Sequence, residues 1–461
     1  MRRSATARTW LAWFASAAIA LSTPPAGAAD HTALHVAFRT AESGFDPQAV
    51  SDANSTDLCA AIFDALYTYD YFARPVRLVP NTAAGLPEIT DGGRTYTVRV
   101  RPGIYFADDP AFKGRRRELI AQDYVYSIKR IFDPRVRSYW LYVFEKRLIG
   151  LDPVLEHARK SGAFDYDADI EGLRAVDRYT LRIRFRDPEY GFQHWLASTS
   201  LAAVAREVVE AYGDATHRVM EHPVGTGPYR LADWRRTQRV VLEANPGYRA
   251  ETYPVPDDAS PDDVGIARGL AGRRLPLTPR VEVVIVEEAQ SRLLAFQRGE
   301  LDYLEVPTSL AANVLDGDRV RPELASRGVH LQRLIEPSLA FTFFNLDDPV
   351  VGGYTPEKIA LRRAIGMVFD RRSVVEVLNH GQALPATQVV PPPVPGYDAS
   401  YVPKDRFDPT AARALLDRFG YKDRDGDGYR EMPDGKPLVI VKASTTEATS
   451  RASDELWKKR F

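Results

Sequence analysis

One cysteine, Cys59, stands in a chain of 461 residues. That scarcity excludes an intramolecular disulfide, a four-cysteine zinc cluster and a CxxC redox pair. An excess of one charge is missing too. Lys+Arg number 61 against 62 Asp+Glu, a formal net charge of −1. Nothing there advertises nucleic acid, and nothing suggests an acidic solvating chain. Beyond the amino-terminal segment no apolar run approaches the ~20 residues that cross a bilayer. The chain has no HExxH, no GxSxG, no complete GxxxxGK[ST] and no GxGxxG after a strand. Its 8 histidines are scattered. The closest pair, His217 and His222 with Glu221 beside them, reads as two surface histidines rather than a metal site.

What is present describes a soluble, multidomain protein stabilised by core burial, with 44% hydrophobic and 27% charged residues. Residues Met1 to Arg8 are basic without an acid, Trp10 to Leu21 are apolar, and Thr23 to Ala29 are small or proline. This is the three-part layout of a secretory signal over residues 1–29, cut after Ala28 or Ala29. The apolar stretch is too short to span, and no cysteine at the cut offers a lipid anchor. The expected product is exported, not membrane-spanning, and binds no nucleic acid.

Along the mature chain, strands are expected at Leu34–Phe38, Arg94–Val100, Thr180–Phe185 and Val281–Val286. The Thr180–Phe185 alternation puts its arginines in water. Tyr229–Leu231 and Val240–Glu243 read as an antiparallel pair around Trp234. Helices are expected at Thr56–Leu66, Asp123–Phe132, Ser291–Arg298, Thr355–Leu378 with breaks, Asp408–Phe419 and from Ser450 onward. The Pro-, Gly- and Asp-rich stretch Tyr253–Pro279 reads as a long surface loop, and Leu438–Lys442 as a strand. Cys59, among apolar neighbours on a helix, is expected to be a buried inert thiol. Strands and helices alternate throughout, an α/β or α+β pattern.

One motif carries chemistry of its own. Asp423-Arg424-Asp425-Gly426-Asp427-Gly428 fits D-x-D-x-D-G, the first half of a calcium loop. Asp423, Asp425, Asp427, Glu431 and Asp434 are the candidate ligands, with an aspartate where a bidentate glutamate is usual. A structural calcium ion is one reading. An acidic turn without an ion is the other.

Several segments taken in order resemble one family. They are Gly44-Phe45-Asp46-Pro47, Ile62-Phe63-Asp64-Ala65-Leu66-Tyr67, Asp91 to Phe106, Ala121 to Arg130, Pro223-Val224-Gly225-Thr226-Gly227-Pro228-Tyr229, Val241 to Tyr248, Gly299-Glu300-Leu301-Asp302, Phe343-Phe344-Asn345 and Leu361 to Arg371. Behind an export signal they resemble the extracytoplasmic solute-binding proteins of ABC importers, in the oligopeptide/dipeptide-binding family 5. The resemblance implies an α/β fold of the periplasmic-binding-protein type II, two lobes around a hinge with an extra domain. It divides the chain into 30–72 and 187–275 (lobe I), 73–186 (extra domain) and 276–461 (lobe II). It implies a monomeric periplasmic receptor, not an enzyme and without a cofactor, that delivers peptides to permease and ATPase subunits. Ligand contacts implied by position are Glu42, Ser43, Gly44, Phe45, Tyr139, Tyr142, Gly225, Thr226, Gly227, Phe343, Phe344 and Asn345. Receptors for nickel complexes or haem belong to the same family, and a secreted hydrolase is the competing class. Family members continue beyond the position of Phe461, so a truncated or frameshifted product, or a fragment, with an incomplete lobe II is also expected.

Overall fold

The computed structural model describes residues 33–73, 76–254, 261–392, 394–403, 406–444 and 448–459. The expected export signal lies outside them. Two four-stranded sheets organise the first two thirds of the chain. Strand β1 is Ala33–Phe38, followed by helix α1 at Ala53–Ile62. Asp52 caps α1 by accepting from the Ser55 amide at 2.8 Å, so the helix starts earlier than the apolar periodicity shows. A short hairpin pairs β2 (Tyr67–Tyr69) with β3 (Leu78–Pro80).

The second sheet is built from β4 (Glu88–Thr90), β5 (Thr95–Arg99), β6 (Leu173–Asp177) and β7 (Thr180–Arg184), in the order β4-β5-β7-β6. Strict alternation makes it one-sided. Tyr96 lies opposite Ile183 and Val98 opposite Leu181, and all four are buried. Helix α2 (Ala121–Phe132) covers β6 and β7 with Tyr124, Ile128 and Ile131. No Ser or Thr caps α2. Asp123 does part of that work by accepting from the Ile120 amide at 2.9 Å. The arginines of β7 depart from expectation. Arg182 and Arg184 are half-buried rather than in water, because strand pairing on both sides hems in their stems.

The first sheet closes over long range. Strands β8 (Tyr229–Arg235) and β9 (Arg239–Ala244) form a hairpin, and β10 (Arg280–Ile285) adds antiparallel to β9. Strand β1 then joins β10 in parallel, from Ala33 opposite Arg280 to Phe38 opposite Ile285. Strand β10, assigned to lobe II by resemblance, is hydrogen-bonded into the sheet of β1.

Two further expectations fail locally. Within Tyr253–Pro279 a helix runs from Pro261 to Leu270, because proline at a first helical position starts a helix as readily as it ends one. Leu438–Lys442 is not a strand. No described strand pairs with it, and Val439 and Val441 are exposed. A strand without a partner has nowhere to put its amides but water. The expected helix after Thr355 breaks at Phe369, where Asp370 accepts from the Arg372 and Ser373 amides and caps a new short turn. One large core spans both sheets, whereas the second half has two small clusters, around Leu361 with Tyr421 and around Leu293 with Val314.

Candidate functional site

The loop after β1 carries four of the expected ligand contacts, and three are packed inside. Gly44 sits at φ +149°, and a Cβ there would lie 2.6 Å from Met220 Cε. Only glycine fits both the backbone and the space. The Phe45 amide donates to the Met220 carbonyl at 3.0 Å, and its ring meets Trp234 edge-on at 5.1 Å. The Trp234 indole N–H donates to Glu42 Oε1, while Glu42 Oε2 is buried and has no hydrogen-bond partner among the described residues. Ser43 alone is exposed, its hydroxyl donating to Asp52 Oδ2 at 2.6 Å.

Beneath the same loop lies a buried charge network that the sequence did not signal. Asp46 receives Arg130 Nη1 at 2.9 Å and Nη2 at 2.5 Å, and both side chains are fully buried. Arg130 also donates to Gln48 Oε1 at 2.5 Å and to the His217 carbonyl at 2.7 Å. Burial pushes the Asp46 carboxyl up. The Arg130 guanidinium and the amides of Val219 and Gln48 outweigh that and hold it below the ordinary aspartate range.

The Gly225-Thr226-Gly227 turn is buried. A Cβ on Gly225 would stand 2.0 Å from the Ile62 carbonyl oxygen, and one on Gly227 2.6 Å from it. The Gly227 amide donates to that oxygen at 2.8 Å. Both glycines, implied as ligand contacts, thus lie tight against the main chain ending α1. Thr226 donates to Asp64 at 2.9 Å, and Asp64 pairs with Arg249 at 2.6 Å. The turn is a joint of the scaffold.

Tyr139 and Tyr142 emerge where a ligand could meet them, at 65% and 48% exposure. Their rings lie 5.7 Å apart. Trp140 and Trp195 complete a four-ring, edge-to-face surface, with Trp195 5.9 Å from Tyr142 and 6.0 Å from Trp140. The Trp140 indole donates to the Val50 carbonyl at 3.1 Å, and the Ser138 hydroxyl to the Gln48 carbonyl at 2.6 Å. These bonds lock the aromatic surface onto the loop that Arg130 anchors. Trp195 escaped the sequence reading, because only tertiary folding brings it to the tyrosines. Such a surface offers apolar area and two hydroxyls at little conformational cost.

Phe343 is 77% exposed, Phe344 packs against the Leu361 cluster, and Asn345 accepts from the Asp347 amide at 3.0 Å. Among the described residues no ring contact or hydrogen bond joins them to Tyr139 or Tyr142.

In the acidic loop, Asp423, Asp425, Asp427 and Glu431 each bring an oxygen within 4.8 Å of the others. Asp434 is not among them. Its carboxylate turns to Lys436 at 2.9 Å, which corrects the five-residue expectation. The loop also closes on itself, since Asp423 accepts from the Gly426 amide at 2.7 Å and the Gly428 amide at 3.0 Å. His217 and His222 go separate ways, to Arg135 at 3.0 Å and Asp109 at 2.7 Å. Cys59 is fully buried, and burial pushes its thiol well above the ordinary range, followed by the nearby Asp46 and Asp52 charges.

Residues 77–461 match the model of the bacterial extracellular solute-binding proteins, family 5 Middle. The chain belongs to this family. It is 26% identical over 417 residues to the glutathione-binding protein GsiB of Salmonella typhi, which covers 90% of this chain and 66% of that protein. With GsiB of Escherichia coli O6:K15:H31 it shares 28% over 379 residues, 82% of this chain and 59% of the relative. This family 5 chain thus spans about two thirds or less of the length of these curated relatives. Among solved structures it is similar to NikA from Brucella suis in complex with Fe(III)-EDTA, with TM-score 0.66, 19% identity, and 93% and 72% of the two chains covered. It is similar also to OppA of Burkholderia pseudomallei, with TM-score 0.59, 20% identity, and 85% and 67% covered. At such identities the likeness establishes the fold, the α/β architecture of periplasmic binding proteins. No helix among the described residues is long and apolar enough to cross a membrane.

Proposed function

We propose that this chain is the solute-capturing receptor of an ABC importer, taking short peptides or peptide-like solutes in the periplasm and handing them, unchanged, to permease and ATPase subunits. It acts as a monomer and performs no bond-making chemistry. The carrying observation is the four-ring surface on which exposed Tyr139 and Tyr142 rest against half-buried Trp140 and Trp195, fixed by main-chain bonds to Gln48 and Val50, in a chain of a solute-binding family. Peptide-class cargo is favoured over metal complexes because the relatives matched by sequence are glutathione-binding proteins. A ligand that prefers a closed arrangement of the lobes shifts the population toward it.

Thermal unfolding of the purified chain against glutathione, di- and tripeptides, nickel–histidine and haem tests the reading. Stabilisation should grow with glutathione or peptide concentration as mass action requires. Stabilisation by nickel–histidine or haem alone would replace the cargo class. A flat response to every solute, together with turnover of an ester or glycoside, would overturn the receptor.

A further inference from the structure

We draw no further inference here: the strongest candidate, the surface patch of exposed apolar side chains Phe341, Phe343, Val439 and Val441, next in sequence to Phe344 and Leu438 on the Leu361 and Tyr421 cluster, carries nothing because nothing in the structure shows what covers it.

Discussion

Replacing Arg130 by methionine keeps much of the buried stem and deletes the charge that ties α2 to the loop after β1. Asp46 then loses guanidinium contacts at 2.9 and 2.5 Å, Gln48 loses one at 2.5 Å, and the His217 carbonyl loses one at 2.7 Å. Removing one partner of a buried pair costs about 3–5 kcal/mol, because the other charge stays behind unpaired. Asp46 keeps the amides of Val219 at 2.8 Å and Gln48 at 3.1 Å, which places the expected loss near ~3 kcal/mol, roughly a hundredfold in the unfolding equilibrium. The pH dependence has a definite sign. The Asp46 carboxyl lies below its unfolded value in the native chain, so its contribution is fully present above the ordinary aspartate range and is lost as pH falls through the folded value. Without Arg130, burial dominates and the carboxyl rises. The variant's deficit should therefore be greatest at neutral pH and shrink in acid. Urea unfolding by tryptophan fluorescence, at neutral pH and again near the ordinary aspartate pKa with slopes compared, measures both. A loss below about 1 kcal/mol at neutral pH, or one that grows toward acid, would refute the reasoning.

Gly225→Ala should lower stability by more than about 2 kcal/mol, since its Cβ would stand 2.0 Å from a carbonyl oxygen that cannot retreat. Gly85→Ala, with nothing within 4 Å, should stay within about 0.5 kcal/mol, and thermal unfolding of the two side by side decides. Tyr139→Ala combined with Tyr142→Ala should leave folding nearly unchanged, because both rings are exposed, but weaken glutathione or peptide binding about tenfold. Unchanged affinity would move the cargo elsewhere. Cys59 should resist a thiol reagent in the native chain and react fully in urea, and prompt native labelling would contradict its burial.

Local signals were legible where one residue's environment follows from its near neighbours. The alternation of Thr95–Arg99 and Thr180–Arg184 was enough to mark both strands and their inward residues. The helix at Pro261 was masked by proline and glycine, which mark loops more often than helices. The partnership of β10 with β1 was hidden for another reason, since pairing across most of the chain leaves no local trace. The aromatic surface divided the same way. Tyr139 and Tyr142 stood in one aromatic run and could be picked out. Trp195 and the Arg130–Asp46 network come together only after folding. Gly225 and Gly227 were implied as ligand contacts by position alone, and the sequence could not say that the group closest to them is the Ile62 carbonyl.

The register that sets Ala33 against Arg280 imposes an order of assembly. At ~5–20 residues added per second, the amino-terminal strand leaves the ribosome roughly 10–50 s before its neighbour exists. The β8–β9 hairpin needs no such wait, and it offers a free edge to β10 and then to β1. Strand β10 is therefore the piece that closes this sheet, since both β1 and β9 pair with it. Until then the nascent chain has no closed first sheet.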